Sequence, residues 1–155
     1  HVIYDYHYTD NPGYHDDEIV NTKAGFGVLY SINYNVFKKL SLGAITGIQY
    51  MNSPDYSMLK LGGSIKYFFV DNNNVYTYIN IANDFSLNED QFKNGGDFRI
   101  GIGFPVFRRN AFNLNINVFW ESQLLRLDGS KPLFDKEIPG STDIKSFGLS
   151  VGAKF

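Results

Sequence analysis

The feature that most constrains the fold of this chain is an alternation of apolar residues with small or polar ones. The last ten residues, SFGLSVGAKF, show it most plainly, since every second position is apolar: Phe147, Leu149, Val151, Ala153 and Phe155. A period of two sends successive side chains to opposite faces of an extended strand, whereas a helix requires spacings of three and four. The pattern therefore predicts β-structure at the end of the chain.

The same alternation marks eight segments. They cover residues 1–8, 24–37, 40–50, 59–69, 75–85, 97–107, 112–122 and 146–155, and the first is the weakest. Short links (FKKL, DNNN and FRRNA) alternate with longer polar stretches at residues 9–23, 51–57, 87–96 and 126–143. An even number of strands with tight turns at one end and long loops at the other is typical of an up-and-down barrel.

Composition removes several classes of function. The 155 residues suit one domain (1–155), and the net charge of −2 argues against a nucleic-acid partner. There is no cysteine, and all three histidines fall within the first fifteen residues, so disulfides and thiolate or histidine metal sites have little support. No run of eighteen apolar residues occurs. We predict no catalytic residues, no cofactor and no metal.

The two faces of the predicted strands differ in kind. One face is long, aliphatic and aromatic, while the other carries Gly, Asn, Ser, Lys, Asp, Arg and Glu. The second face is too polar and too small to form an ordinary apolar core, which predicts an inside-out barrel whose apolar face contacts lipid. The alternative is a soluble lipocalin-like barrel, in which the apolar face would line a ligand cavity.

In the alternating segments, the uneven loop lengths and the terminal Phe155, the chain resembles the small eight-stranded outer-membrane proteins of the OmpA/OmpX type. The resemblance implies an all-β, eight-stranded antiparallel transmembrane barrel in a Gram-negative bacterial outer membrane, with short periplasmic turns and long extracellular loops. It also implies outer-membrane lipids as partners, and that the barrel assembly machinery reads Phe155 during biogenesis.

Charged residues on the polar face predict a network inside the barrel. Strand direction brings Lys60, Asp84, Arg99 and Glu121 to similar heights on four consecutive strands, and we expect ion pairs that alternate in that order. Asp5, Lys66 and Asp97 are expected to face the same interior. Eight strands leave an interior that side chains fill, so a structural plug is favoured over an ion path.

The predicted function is a non-enzymatic structural or interaction component, and one role open to it is that of a subunit in a larger outer-membrane complex. Loops 9–23 and 126–143 would present a surface to another outer-membrane protein. The second loop holds an unusually apolar group, Pro132, Leu133, Phe134 and Ile138. These side chains could dock on a partner or fold back onto the barrel rim.

Enzymatic alternatives have weaker support. A lipid A palmitoyltransferase-like site would combine His7 or His15 with Asp55 and Ser57, whereas the deacylase pattern is excluded because no histidine follows residue 15. The stretch HDDE, residues 15–18, suggests calcium but lacks the spaced ligands of an EF-hand loop. A solvated acidic loop is the favoured interpretation there.

Overall fold

The computed structural model describes residues 2–8, 11–20, 24–52, 55–69, 75–88, 91–108, 113–127 and 137–154. Nearly all of these residues are in β-strands, and this part of the chain contains no helix long and apolar enough to cross a membrane. The strands are β1 (Val2–Tyr8), β2 (Asn11–Val20), β3 (Gly25–Phe37), β4 (Leu40–Asn52), β5 (Asp55–Phe68), β6 (Tyr76–Ser86), β7 (Asn94–Arg108), β8 (Asn113–Arg126) and β9 (Glu137–Lys154).

All nine strands form one antiparallel sheet. Its order is β2-β1-β9-β8-β7-β6-β5-β4-β3, so from β3 to β9 every strand pairs with its neighbour in sequence. The all-β, up-and-down architecture predicted from the alternation is confirmed, and each of the eight predicted segments corresponds to a strand, β1 or one of β3 to β9. We call the end with the β4–β5 and β6–β7 connections the loop end, and the opposite end the turn end.

All four predicted long loops are shorter than expected, and the loop at residues 87–96 is the least changed, since β7 begins at Asn94. The stretch 9–23 contains β2, β4 and β5 leave only residues 53 and 54 between them, and β9 begins at Glu137 inside the stretch 126–143. The prediction was wrong here because backbone pairing continues past the point where apolar alternation stops. A ladder needs only backbone partners, which polar residues also supply.

The sheet has two edges, β2 and β3, so the described backbone pairs do not close the predicted barrel. The sheet is nevertheless strongly curled. Only residues 21–24 separate β2 from β3, and five Cα steps of about 3.8 Å keep Val20, at the end of β2, within about 19 Å of Gly25, at the start of β3. Side chains also meet across the interior, where Gln49 Nε2 on β4 lies 3.4 Å from Glu121 Oε2 on β8. Phe155 lies outside the described residues.

At the loop end the interior is a conventional apolar core, which we call the upper layer. It consists of Val2, Tyr4, Tyr6, Met51, Tyr56, Met58, Phe92, Leu125, Leu127 and Ile144, all buried. Tyr4 lies opposite Thr142 in the β1–β9 ladder, and both are fully buried. The prediction that Asp5 faces the interior was therefore wrong, because the aromatic face of β1 points inward and Asp5 lies on the other face.

Candidate functional site: a buried charge cluster inside an apolar belt

Lys60 is the centre of a cluster of five buried charged side chains, which we call the charge cluster: Lys60, Asp84, Asp97, Arg99 and Glu121. Its Nζ lies 2.5 Å from Asp97 Oδ2, 3.2 Å from Glu121 Oε1 and 3.5 Å from Asp84 Oδ1. The ladder sets Asp84 directly opposite Lys60, while the other two carboxylates come from β7 and β8. One ammonium group thus ties together four consecutive strands.

Arg99 completes the cluster from β7. Its Nε and Nη2 both donate to Glu121 Oε1, at 2.9 and 2.5 Å, and Glu121 is its direct ladder partner on β8. The guanidinium also lies 4.2 Å from the centre of the Phe119 ring, a cation–π contact. Glu121 therefore accepts hydrogen bonds from both cations of the cluster.

The structure brings together the four residues predicted to form a network, but in a different arrangement. No Asp84–Arg99 ion pair occurs among the described residues, because the β6–β7 register sets Gly95 opposite Asp84 and Asn80 opposite Arg99. Asp97 contacts Lys60 instead. The stagger between strands of a curled sheet, which sequence does not reveal, accounts for the difference.

The other two residues predicted to face this interior lie apart from the cluster. Lys66 is nearer the turn end, where its Nζ lies 3.4 Å from Ser31 Oγ and 5.9 Å from the Tyr76 ring centre. Asp5 is half-buried on the outer face of β1, opposite Ser141.

Two glutamine side chains donate hydrogen bonds to carboxylates of the cluster. Gln123 Nε2 donates to Asp84 Oδ2 at 3.3 Å, and Gln49 Nε2 donates to Glu121 Oε2 at 3.4 Å. The cluster and its amides connect five strands, β4 to β8, through the interior. Removing one partner from such a buried set typically costs about 3–5 kcal/mol, since an uncompensated charge remains. This arrangement can hold neighbouring strands of the curled sheet together and fill the space between them. No group of three His, Cys, Asp or Glu side chains in the described ranges is arranged to hold a metal.

Below the cluster, aromatic rings lying against glycines fill the interior. A Cβ placed on Gly103 would come within 2.2 Å of the Tyr76 ring, and one on Gly148 within 2.3 Å of the Phe119 ring. Tyr76 Oη also donates to Asn117 Oδ1 at 2.7 Å. Interior glycines therefore make room for rings on neighbouring strands, and this part of the interior is packed.

The outer face of the same strands carries an apolar belt. We define the belt by one exposed residue on each strand from β3 to β9, together with the outward-facing residues at the alternate positions before and after it. The seven defining residues are Val28, Leu42, Ile65, Ile81, Ile102, Val118 and Leu149. All seven side chains are exposed. Phe and Tyr rings, such as Tyr34, Tyr67 and Phe104, lie among them. At this height the sheet buries charge and exposes hydrocarbon, which reverses the usual distribution in a water-soluble protein.

The reversal occurs within single strands. On β9, Thr142 and Ile144 are buried near the loop end while Lys145 is exposed; further along, Leu149 and Val151 are exposed. The backbone register continues without a bulge through this part of the β8–β9 ladder. The apolar side chains therefore change faces between the upper layer and the belt.

The remaining predicted site residues are only partly described. Pro132, Leu133 and Phe134 lie outside the described residues, and Ile138 is an exposed residue of β9 opposite His7, so it does not belong to a loop.

The candidate enzymatic and calcium residues are also incomplete. His7 and His15 face each other in the β1–β2 ladder, but their side chains are outside the described part. Asp55 and Ser57 lie at the start of β5, where the Ser57 N–H donates to Gln91 Oε1 at 2.8 Å. The segment HDDE forms part of β2.

No protein-family model, curated protein or solved structure matches this chain. The argument for function therefore depends on how charge and apolar surface are distributed over the sheet.

Proposed function

We propose that the chain is an integral outer-membrane β-barrel protein of the OmpA/OmpX type, acting as a non-enzymatic structural or interaction component. The observation that carries the proposal is the apolar belt surrounding a buried charge cluster. Lipid stabilises such a belt, whereas water does not: monomeric soluble proteins rarely expose contiguous apolar patches above a few hundred Å². In this proposal the turn end is periplasmic and the loop end extracellular.

The change of faces along single strands supports the same conclusion. Near the loop end, the apolar side chains of β1, β5 and β9 are inside, as expected where water surrounds the sheet. In the belt they are outside, as expected where lipid surrounds it. A soluble ligand-binding barrel would keep its apolar side chains inside at mid-height, and Lys60, Asp84 and Glu121 occupy that interior here.

The loop end supplies the surface for a partner. The β6–β7 connection packs into the upper layer, because the Phe92 ring lies 5.6 Å from that of Tyr56 and the Gln91 side chain binds the Ser57 backbone. A docked connection gives a fixed surface at this end, and the sequence between β8 and β9 contains Pro132, Leu133 and Phe134. We propose that these side chains contact another outer-membrane protein.

The membrane proposal is tested by placing the same charge at two heights. Ile102→Arg puts arginine in the belt, whereas Leu124→Arg puts it near the loop end, opposite Asp143 and Gly96. In a membrane, arginine near the bilayer midplane costs about 2–4 kcal/mol and near the interface about 0–1 kcal/mol. We expect Ile102→Arg alone to lower the urea midpoint of the lipid-embedded protein.

The parent should fractionate with the outer membrane and change gel mobility on boiling. Equal effects of the two arginines, in a protein soluble without detergent, would contradict membrane insertion. The acyltransferase alternative gains no support from the described residues, which do not include the side chains of His7 and His15.

The partner proposal has its own test. Replacing Pro132, Leu133 and Phe134 together with serine should abolish chemical cross-links to a neighbouring outer-membrane protein, because the apolar contact is removed. The control replaces Lys38 and Lys39, exposed in the β3–β4 turn at the opposite end. Undiminished cross-linking by the triple variant would contradict docking through this segment.

A further inference from the structure

Two strand edges in the turn-end half of the sheet have no ladder partner among the described residues. The described β1–β9 ladder runs from Glu137 to Ile144, so residues 146–154 of β9 have no ladder partner on that side among the described residues. β3 pairs with β4 along its length, and no described strand pairs with its other edge. We call the gap between these two edges the seam.

Side chains beside the seam are the most exposed of the apolar belt. Phe147 and Leu149 on β9 are 85% and 76% exposed, against 40% and 47% for Ile116 and Val118 on the neighbouring β8. On the other side, Phe26 and Val28 of β3 are 72% and 78% exposed. These side chains have a larger exposed fraction because no neighbouring strand covers one side of them.

The direction of the strands limits what can fill the seam. Six antiparallel ladders separate β3 from β9, so the two edges run the same way. Direct pairing between them would be parallel and would break the up-and-down alternation. A single strand antiparallel to both edges preserves it, and β1 already runs antiparallel to β9.

The curvature of the sheet also indicates that there is room for one strand between β9 and β3. In a ring of eight strands, those that face each other across the interior are four places apart. Gln49 on β4 reaches Glu121 on β8, and Tyr56 on β5 reaches Thr142 on β9 at 3.4 Å. From β3 to β9 there are seven strands, so the seam corresponds to an eighth.

The register of β1 identifies where that eighth strand comes from. Val2 lies opposite Ile144 of β9 on one side and opposite Val20 of β2 on the other. β2 ends there, and β3 follows it after residues 21–24, running in the same direction. A strand continued upstream from Val2 therefore enters the seam with β9 on one side and β3 on the other.

Leaving the seam open is costly. The β3 edge from Phe26 to Phe37 contains no proline and no charged residue, the features that normally protect an edge from pairing. Its free N–H and C=O groups are therefore a template for pairing with one more strand.

We propose that the seam is filled by one further strand of about ten residues, which continues β1 on its N-terminal side and is antiparallel to both β9 and β3. Its residues facing Phe147, Leu149 and Val151 are apolar and point outward; those between are small or polar and point inward. The inference goes beyond the proposed function and does not depend on membrane location, because it follows from backbone edges and register.

The test uses introduced cysteines, since the chain has none of its own. An alternating segment of about ten residues is fused ahead of His1 in the full chain. By the observed register, the fourth residue upstream of His1 lies opposite Leu149. A cysteine at that fourth position should form a disulfide with Leu149→Cys, and also with a cysteine at one position of a β3 scan over Phe26, Val28 and Tyr30.

Two controls accompany the fused segment. Val118→Cys with Leu149→Cys, which face each other on β8 and β9, reports the disulfide yield of a known pair. A segment of the same composition shifted by one residue turns its apolar side chains inward and should give at least tenfold less disulfide, because a one-residue slip exchanges the two faces.

Three results would overturn the proposal. The first is equal yield from the two segments, or no disulfide from either. The second is efficient coupling of Leu149→Cys directly to the β3 cysteines in the unfused chain, which would mean that the seam closes on itself. The third is a disulfide-linked dimer, which would make a second copy the occupant. Disulfide yield is read separately from fractionation, so failure here differs from failure of the membrane proposal.

Discussion

The upper layer and the apolar belt are built from the same strands, yet their side chains are distributed in opposite ways. On β5, Tyr56 and Met58 are buried in the upper layer, and every second residue from them to Phe68 continues along the same inner face. Lys60 follows them on that face, while Leu61 and Ile65 are exposed in the belt. Period two thus defines the strand, but the surroundings determine which face carries the apolar residues.

The interior of each region is stabilised by different forces. The upper layer depends on burial of apolar side chains, worth about 25 cal/mol per Å² removed from water. The interior at the height of the belt is stabilised by ion pairs and by aromatic rings packed against glycines. Substitutions in the two regions should therefore lower the free energy of unfolding for different reasons.

The largest effect is expected from Lys60→Met, which leaves Asp84, Asp97 and Glu121 without their shared cation. We expect the free energy of unfolding to fall by about 3–5 kcal/mol in detergent-refolded protein titrated with urea. Lys66→Met is the matched control, because Lys66 lies on the same face of β5 but its side chain is only half-buried. Adding Asp97→Asn to Lys60→Met should recover part of the loss. Equal destabilisation by the two lysine variants would remove the distinction between the cluster and the rest of the interior.

Next in size is Leu125→Ala in the upper layer. Leu125 is fully buried, and truncation should cost about 2–5 kcal/mol through lost burial and a cavity. Its neighbour Leu124 is exposed, so Leu124→Ala should change stability by less than about 0.5 kcal/mol. Urea titration of the pair measures the difference, and a small effect at Leu125 would show that the upper layer is not a packed core.

A smaller effect is expected from Gly103→Ala, since the added Cβ would collide with the Tyr76 ring. Forcing that ring to move should cost about 1–3 kcal/mol, and Tyr76→Ser in the same protein should relieve part of it. Gly96→Ala is the control, because its Cβ would meet nothing within 4 Å. The variants are compared by the midpoint of their thermal gel-shift transition. An unchanged midpoint for Gly103→Ala would contradict the packing of the ring against the glycine.

Several features were predictable from the residues alone because they follow from local geometry. The alternation located the strands, and the inward face of β5 to β8 followed from the positions of Lys60, Asp84, Arg99 and Glu121. The ion-pair pattern did not follow, because the stagger that puts Gly95 opposite Asp84 is a property of the curled sheet. β2 was missed because its sequence, NPGYHDDEIV, lacks a sustained alternation, and its pairing with the preceding strand β1 needs only backbone partners.

By itself, the sequence determined that this chain forms antiparallel strands with one apolar and one polar face, since side-chain direction along a strand alternates whatever the strand contacts. The tertiary structure decided the rest: that Tyr4 and Met58 turn inward at the loop end, that Lys60 gathers three carboxylates, and that β3 and β9 face an unfilled seam. These depend on register, stagger and closure, which arise only when distant strands pair and curl around a shared interior.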